Sequence, residues 1–271
     1  MSDHPRDPWA LLSARTPARI ALGRTGASLP TREVLSFSLA HAQARDAVHA
    51  RLDWAALAAR LHMLGLNTIE AGSEARDRAV YLRRPDLGRR LDGASRERIQ
   101  AAAAGASFDF AILIGDGLSA KAIAAQAPAL VEALLPHLVR LGIGLSPVVL
   151  AEGARVALGD EVGALFGARL VAVLIGERPG LSAADSLSVY LTFDPIPGRT
   201  DAERNCISNI RPGGLAPSSA AANLAWLIEA ARSIQATGVQ LKDLSGTSAL
   251  DIEVAGSPSK PSPIVLMSRV D

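Results

Sequence analysis

Residues 108–114, 147–151 and 169–175 are three short apolar runs: PheAspPheAlaIleLeuIle, ProValValLeuAla and ArgLeuValAlaValLeuIle. Each is followed at once by glycine and an acid, at Gly115-Asp116-Gly117, Glu152-Gly153 and Gly176-Glu177. Continuous rather than alternating apolarity marks strands buried on both faces, as in a parallel sheet. Helical patterns separate the runs, over residues 119–141 and 154–166. Parallel neighbours require a crossover, so strand, helix, strand, helix, strand constrains the chain to an α/β fold with a doubly wound, mainly parallel sheet.

The rest of the chain is read around that unit. A weaker run at 187–193, LeuSerValTyrLeuThrPhe, is a fourth strand reached by a loop. A polar loop over 195–214 leads into a helix at 218–237, and the Pro/Ser-rich stretch 257–263 reads as a mobile tail or a strap. Residues 30–106 read as helical. Thr31 can N-cap a run with Leu35, Leu39, Ala42 and Val48 near one face, and a second helix carries Trp54, Leu57, Leu61 and Leu64 up to Gly65. The expected organisation is an N-terminal helical region, 1–106, and a sheet domain, 107–271, that ends in the tail. Between residues 73 and 98, Arg76, Arg78, Arg83, Arg84, Arg89, Arg90, Arg96 and Arg98 are offset by Glu74, Asp77, Asp86, Asp92 and Glu97. They form either a solvated, salt-bridged surface or a docking face for a partner chain or an anion.

Composition narrows the function classes. The chain has 28 Lys plus Arg against 27 Asp plus Glu, a formal charge of +1 that gives no overall basic field for a nucleic-acid backbone. The single cysteine cannot build an internal disulfide framework or a cysteine-rich zinc site, which favours a reducing, cytoplasmic location. The polar, acid-containing start fits neither a secretory signal nor a transit peptide, and no uninterrupted apolar stretch approaches the length of a membrane span. Hydrophobic residues make up 49% of the chain but aromatics only 4%, because alanine supplies much of the apolar fraction. Such surface suits close helix packing or a broad flat interface.

In an open parallel sheet, ligands bind outside the carboxyl ends of the strands. Asp116, Glu152 and Glu177 therefore stand along one rim, where they accept hydrogen bonds from a neutral ligand's amide or hydroxyl groups, or are satisfied by helix N-termini. Gly115, Gly117 and Ala120 match the G-x-G-x-x-A turn of dinucleotide sites, but no acid follows about 20 residues later to hold a ribose. An NAD-dependent oxidoreductase is the alternative reading from this motif. No G-x-S-x-G elbow and no zinc-type histidine spacing occurs. His41, Arg45, Asp46 and His49 make a polar helix face directed to solvent or a partner. Residues 201–211, AspAlaGluArgAsnCysIleSerAsnIleArg, form the densest polar constellation. Loops of this kind serve a ligand or an interface.

Read together, IleGlyAspGlyLeuSer (114–119), ArgValAlaLeuGlyAsp (155–160), IleGlyGluArgProGlyLeuSer (175–182) and AsnCysIleSerAsnIleArg (205–211) resemble the small subunit of ethanolamine ammonia-lyase. ArgThrGlyAlaSerLeuProThr (24–31), HisAlaGlnAlaArgAspAlaVal (41–48) and ArgArgProAspLeuGlyArg (83–89) extend the likeness to about residues 8–255. The resemblance implies a Rossmann-like domain and adenosylcobalamin as cofactor, held at the interface with a large catalytic subunit that converts ethanolamine to acetaldehyde and ammonia by radical chemistry. It places cofactor contacts at Val156, Glu177 and Cys206. Asp116, Gly117 and Arg178 are added as neighbours by geometry, and no catalytic residue is assigned to this chain. A purely structural partner subunit is the other alternative. The start lacks the longer leader that some family members carry and that accompanies packaging, so the location is the free cytosol or a bacterial microcompartment.

Overall fold

The structure is a computed structural model and describes residues 9–242 except 14 and 17. The tail expected at 257–263 lies outside the described residues. In chain order the elements are α1 (Ala10–Ser13), α2 (Thr31–His49), α3 (Trp54–Met63), β1 (Thr68–Gly72), α4 (Arg78–Arg83), α5 (Gly93–Ala103), β2 (Phe110–Gly115) and α6 (Ala120–Arg140). They continue with β3 (Val148–Glu152), α7 (Leu158–Phe166), β4 (Leu170–Gly176), β5 (Leu187–Phe193), β6 (Arg204–Ile210) and α8 (Pro217–Ile234).

The six strands form one sheet in the order β1-β3-β2-β4-β5-β6. The first four run parallel, while β4-β5 and β5-β6 are antiparallel. The antiparallel turn after β4 follows from its connection, a loop with no helix to carry the chain back across the sheet. All residues of β2 and β4 are buried, as their unbroken apolar runs require. Their odd and even side chains feed two separate cores. Phe110, Ile112, Ile114, Leu170, Ala172 and Leu174 pack under α3, α6 and α8. Ala111, Leu113, Val171 and Val173 pack under α5 and α7. The helix α6 is long and apolar enough to cross a membrane by length and composition alone. Here its Ile123, Leu130, Val131, Leu134 and Leu138 lie in the first of these cores.

Three expectations change. The stretch 30–106 is not helical throughout: β1 lies within it and pairs with β3 as the edge of the sheet. Its run ThrIleGluAlaGly is short and holds a glutamate and a glycine, a weak strand pattern of the kind natural edge strands show. Residues 204–210, expected as loop, form β6, whose Cys206 and Ser208 lie exposed on one face while Ile207 enters the core on the other. In α2, Thr31 makes no cap, since Pro30 stands at the N-cap position without a side-chain hydrogen bond. Leu35 and Leu39 are 64% and 61% exposed, and it is Ala44 and Ala47 that turn inward. The second helix matches its pattern: Asp53 caps α3 by accepting from the Ala56 N–H at 2.9 Å, and Leu57 and Leu61 are buried.

Candidate functional site

The chain leaves β2 toward β3 and leaves β4 toward β5, on opposite sides, so the loops after β2 and β4 diverge and open a crevice at their carboxyl ends. A cavity of about 470 Å³ lies there. Its walls are Gly117 and Leu118 after β2, Arg155 and Val156 after β3, Gly176, Glu177 and Arg178 at the end of β4, Ser188 and Tyr190 of β5, and Cys206 and Ser208 of β6. Gly117, Val156, Glu177, Arg178 and Cys206, all singled out from the sequence, are thereby brought together. Asp116 is not among them and lines a neighbouring cavity of about 370 Å³.

The floor of the site is the end of the sheet. Along β5, Leu187, Val189 and Leu191 enter the core under α6 and α8, so Ser188 and Tyr190 face the other way. Cys206 and Ser208 of β6 share that second face, and both are exposed because α7 does not reach so far. Strict alternation in LeuSerValTyrLeuThrPhe was the signal for this polar face, and it marks Ser188 and Tyr190, which motif reasoning passed over. Arg155 and Tyr81 were missed as well. Arg155 stood unremarked beside Val156, and nothing local marks Tyr81, since its approach to the site is tertiary.

Glu177 is fixed by two hydrogen bonds on one oxygen. The Ser188 hydroxyl donates to Oε1 at 2.6 Å and the Asn209 N–H donates to the same atom at 2.9 Å. The second donor is available because the β5-β6 register shifts between Leu187 and Val189 and Asn209 adopts φ +59°. No described residue hydrogen-bonds Oε2, so a held carboxylate keeps acceptor capacity. Cys206 pairs with Tyr190 across the ladder. Desolvation pushes the Cys206 thiol above its ordinary pKa, against hydrogen bonds with Tyr190 and Ser188 that lower it. Desolvation also pushes the Tyr190 hydroxyl up to about 12, with the neighbouring Cys206 and Glu177 acting in the same direction. Both groups stay protonated at neutral pH, so the thiol is not held as a thiolate nucleophile.

The other wall is built on Tyr81 of α4. Its ring lies against two guanidinium groups, with the Cζ of Arg155 4.1 Å and that of Arg78 4.8 Å from the centroid. Its hydroxyl donates to the Ala154 carbonyl at 3.2 Å, and burial lifts its pKa to about 12. Arg78 ties three segments together, donating to the carbonyls of Val48 and Gly117, both at 2.7 Å, and to Asp116 Oδ2 at 3.4 Å. Asp116 also accepts from the N–H groups of Gly153 at 2.9 Å and Ala154 at 3.3 Å. It is thus satisfied by backbone and Arg78, and burial raises its pKa to about 6. Of the three rim acids, only Glu177 enters the crevice; Glu152 is exposed beside Asp116.

The glycines of the G-x-G-x-x-A match are accounted for by packing. A Cβ on Gly117, at φ +57°, would run into the Gly176 carbonyl and Ile175, and one on Gly115 would meet Ala154. The N-terminus of α6, where a dinucleotide's phosphates would sit, is taken by Ser119, whose hydroxyl accepts from the Ala122 N–H and donates to the Ala184 carbonyl. The arginine-rich stretch divides in the same concrete way. Arg84 pairs with Asp86 on the surface, Arg96 reaches Glu161, and Arg78 turns inward to Asp116 beside the neighbouring cavity. No group of three or more His, Cys, Asp or Glu side chains placed to hold a metal ion lies among the described residues.

Comparison with known proteins gives a consistent result. The family described as "Ethanolamine ammonia-lyase light chain (EutC)" matches residues 6–242. The ethanolamine ammonia-lyase small subunit of Bradyrhizobium diazoefficiens is 58% identical over 242 residues, which cover 89% of this chain and 92% of the relative. That of Rhodopseudomonas palustris is 57% identical over 228 residues, covering 84% and 87%. That of Pseudomonas aeruginosa is 51% identical over 249 residues, covering 91% of each. With matches of this extent and identity, the chain belongs to the ethanolamine ammonia-lyase small-subunit family.

Proposed function

We propose that this chain is the cobalamin-contacting subunit of an adenosylcobalamin-dependent ethanolamine ammonia-lyase, working with a large subunit that holds the substrate. The observation that carries the reading is the convergence of Val156, Glu177 and Cys206, far apart in sequence, on one crevice at the carboxyl rim. The donor set fits the group. A corrin rim bears neutral amide side chains, and Glu177 Oε2 is a fixed acceptor for an amide N–H. Val156 supplies apolar contact, and Cys206 and Tyr190 supply protonated, uncharged neighbours. The cavity is far smaller than a whole cobalamin, which suits a cofactor shared between two chains.

When bound, adenosylcobalamin supplies radical chemistry through homolysis of its cobalt–carbon bond. The chain's own residues bind, orient and exclude water, because solvent reaching a radical site opens side reactions. None of the cavity's protonated groups is poised to move a proton: the Cys206 Sγ and the Tyr190 Oη hold theirs well past neutrality. Acid and base work therefore belongs to the partner. The location that goes with this role is the cytoplasm, free or within a microcompartment.

The test is reconstitution. Mixed with its large subunit and adenosylcobalamin, the chain yields ethanolamine turnover and a corrinoid spectrum that co-purifies with both chains, whereas alone it yields neither. Glu177→Ala is expected to weaken cofactor binding by about 1–3 kcal/mol, the scale of a lost charged hydrogen-bond partner. Unchanged cofactor affinity in both Glu177→Ala and Cys206→Ala would leave a purely structural subunit, and ethanolamine turnover by this chain alone would overturn the reading.

A further inference from the structure

A second cavity, of about 440 Å³, adjoins the crevice and shares Leu118, Arg155 and Arg178 with it. Its remaining polar walls come from α2. His41, Arg45 and His49 stand one turn apart on the same helix face, and Ala44 and Val48 between them complete the lining. Buried Ala44 and Ala47 hold that face inward, and Arg78 anchors its end by donating to the Val48 carbonyl. Three arginines and two histidines thus line one space, and no carboxylate does.

The three guanidinium groups have no close carboxylate partner among the described residues. Arg84, Arg96, Arg199 and Arg204 all have carboxylate partners at 2.6–2.7 Å. Among the described residues Arg178 has no ion-pair partner, and Arg45 has only Asp46 at 4.0 Å with both side chains mostly exposed, a geometry that contributes little. Arg155 stacks on Tyr81 and donates from Nη2 to the Tyr81 carbonyl at 3.1 Å, but its buried Nε–H finds no acceptor within the described chain. Guanidinium groups gathered without counter-charge, and left with free N–H groups, match the planar recognition of phosphate oxygens.

We propose that this cavity is an anion subsite that takes a phosphate diester, the one carried on the nucleotide arm of the cobalamin whose corrin rim meets Glu177. The assignment rests on the cobalamin reading and extends it to residues that no motif assigned. Here α2 is the second arm of the clamp: the sheet rim contacts the neutral macrocycle, and the helix neutralises the charged tail.

The experiment uses the complex of this chain with its large subunit and compares two probes by absorbance titration: cobalamin, and cobinamide, which lacks the phosphate and its nucleotide. The double variant Arg45→Gln, His49→Gln changes two exposed side chains of α2 that lie outside the crevice, so the fold is retained. It is expected to weaken cobalamin binding about tenfold or more while leaving cobinamide binding within about twofold of wild type. Millimolar inorganic phosphate should weaken cobalamin binding in the wild-type complex and lose that effect in the variant, which separates the phosphate from the nucleotide base. Equal weakening of both corrinoids, or of neither, overturns the proposal. So does loss of large-subunit affinity in its place, which would make the cavity a protein contact. Retention of a free-phosphate site with unchanged cobalamin affinity would assign the cavity to a soluble anion and overturn the diester assignment. Glu177→Ala serves as the control for the underlying reading, since it should weaken cobalamin and cobinamide alike. If it weakens neither, the cobalamin reading itself has failed.

Discussion

Arg204 and Asp160 are buried to 1% and 0% side-chain exposure, and their two-pronged pair, at 2.6 and 2.7 Å, joins β6 to α7 behind the site. Arg204 also donates to Thr192 and to the Arg199 carbonyl. Burial works against its charge, but the hydrogen bonds to Asp160 hold its pKa above the ordinary value. Cys206 lies two residues further along the strand, so the pair also sets where the thiol stands. Removing one partner strands a buried charge. Asp160→Ala is expected to cost about 3–5 kcal/mol, read as a lower urea midpoint. Asp116 is one buried residue through which stability depends on pH. Its folded pKa of about 6 exceeds its ordinary value of 3.8, so its favourable contribution is complete below the ordinary value and is lost as pH rises through 6. The loss amounts to about 3 kcal/mol. Urea titrations of wild type and Asp116→Asn should therefore show the difference between them shifting in favour of wild type as pH falls from about 7 to 4.5. A difference that does not change with pH would show that this carboxyl does not titrate in the range.

At the scale of elements, the parallel core was legible because β2, β3 and β4 are buried on both faces and their runs contain little else than apolar side chains. The helix α3 was legible too, from the spacing of Trp54, Leu57, Leu61 and Leu64 and from Gly65, whereas its Asp53 cap came from the structure. What was hidden depends on position in the sheet. The edge strand β1 is short and mixed, and β6 reads as polar because its second face is only partly covered by the core. Val156, Glu177 and Cys206 were reached through resemblance, Glu177 also through its place after a buried strand and Cys206 also through the dense polar stretch 201–211. Tyr81 and Arg155 needed the fold, since α4 meets the rim only in three dimensions. Two substitutions test these elements. Gly117→Ala forces a Cβ into the Gly176 backbone at a left-handed position, so it is expected to destabilise the fold by about 3 kcal/mol or more and to disturb the crevice. Asp53→Ala removes only the cap of α3 and is expected to cost about 1 kcal/mol, with cofactor affinity unchanged. Thermal melts and corrinoid titrations of the two variants would separate the effects.

For the whole molecule, a group of large apolar side chains is exposed toward the N-terminal end of the described chain. Val34, Leu35, Phe37 and Leu39 of α2 are exposed, as are Trp9, Leu12 and Leu29 before it. Exposed apolar side chains gathered on one segment promote association. The isolated chain is expected to self-associate with rising concentration, and Leu35→Lys with Leu39→Lys should shift sedimentation profiles toward monomer without changing the circular dichroism spectrum.

The sheet carries helices over both faces along most of its width, and Thr192 and Arg204 are buried there against α7, but Cys206 and Ser208 further along β6 are left exposed in an open bay. Whatever fills that bay becomes a missing layer of the core, so occupancy and folding are two readings of one equilibrium. On the cobalamin reading, the melting temperature of the complex should climb with the logarithm of free cofactor, and the bay should be the last part of the sheet to gain protection from hydrogen exchange.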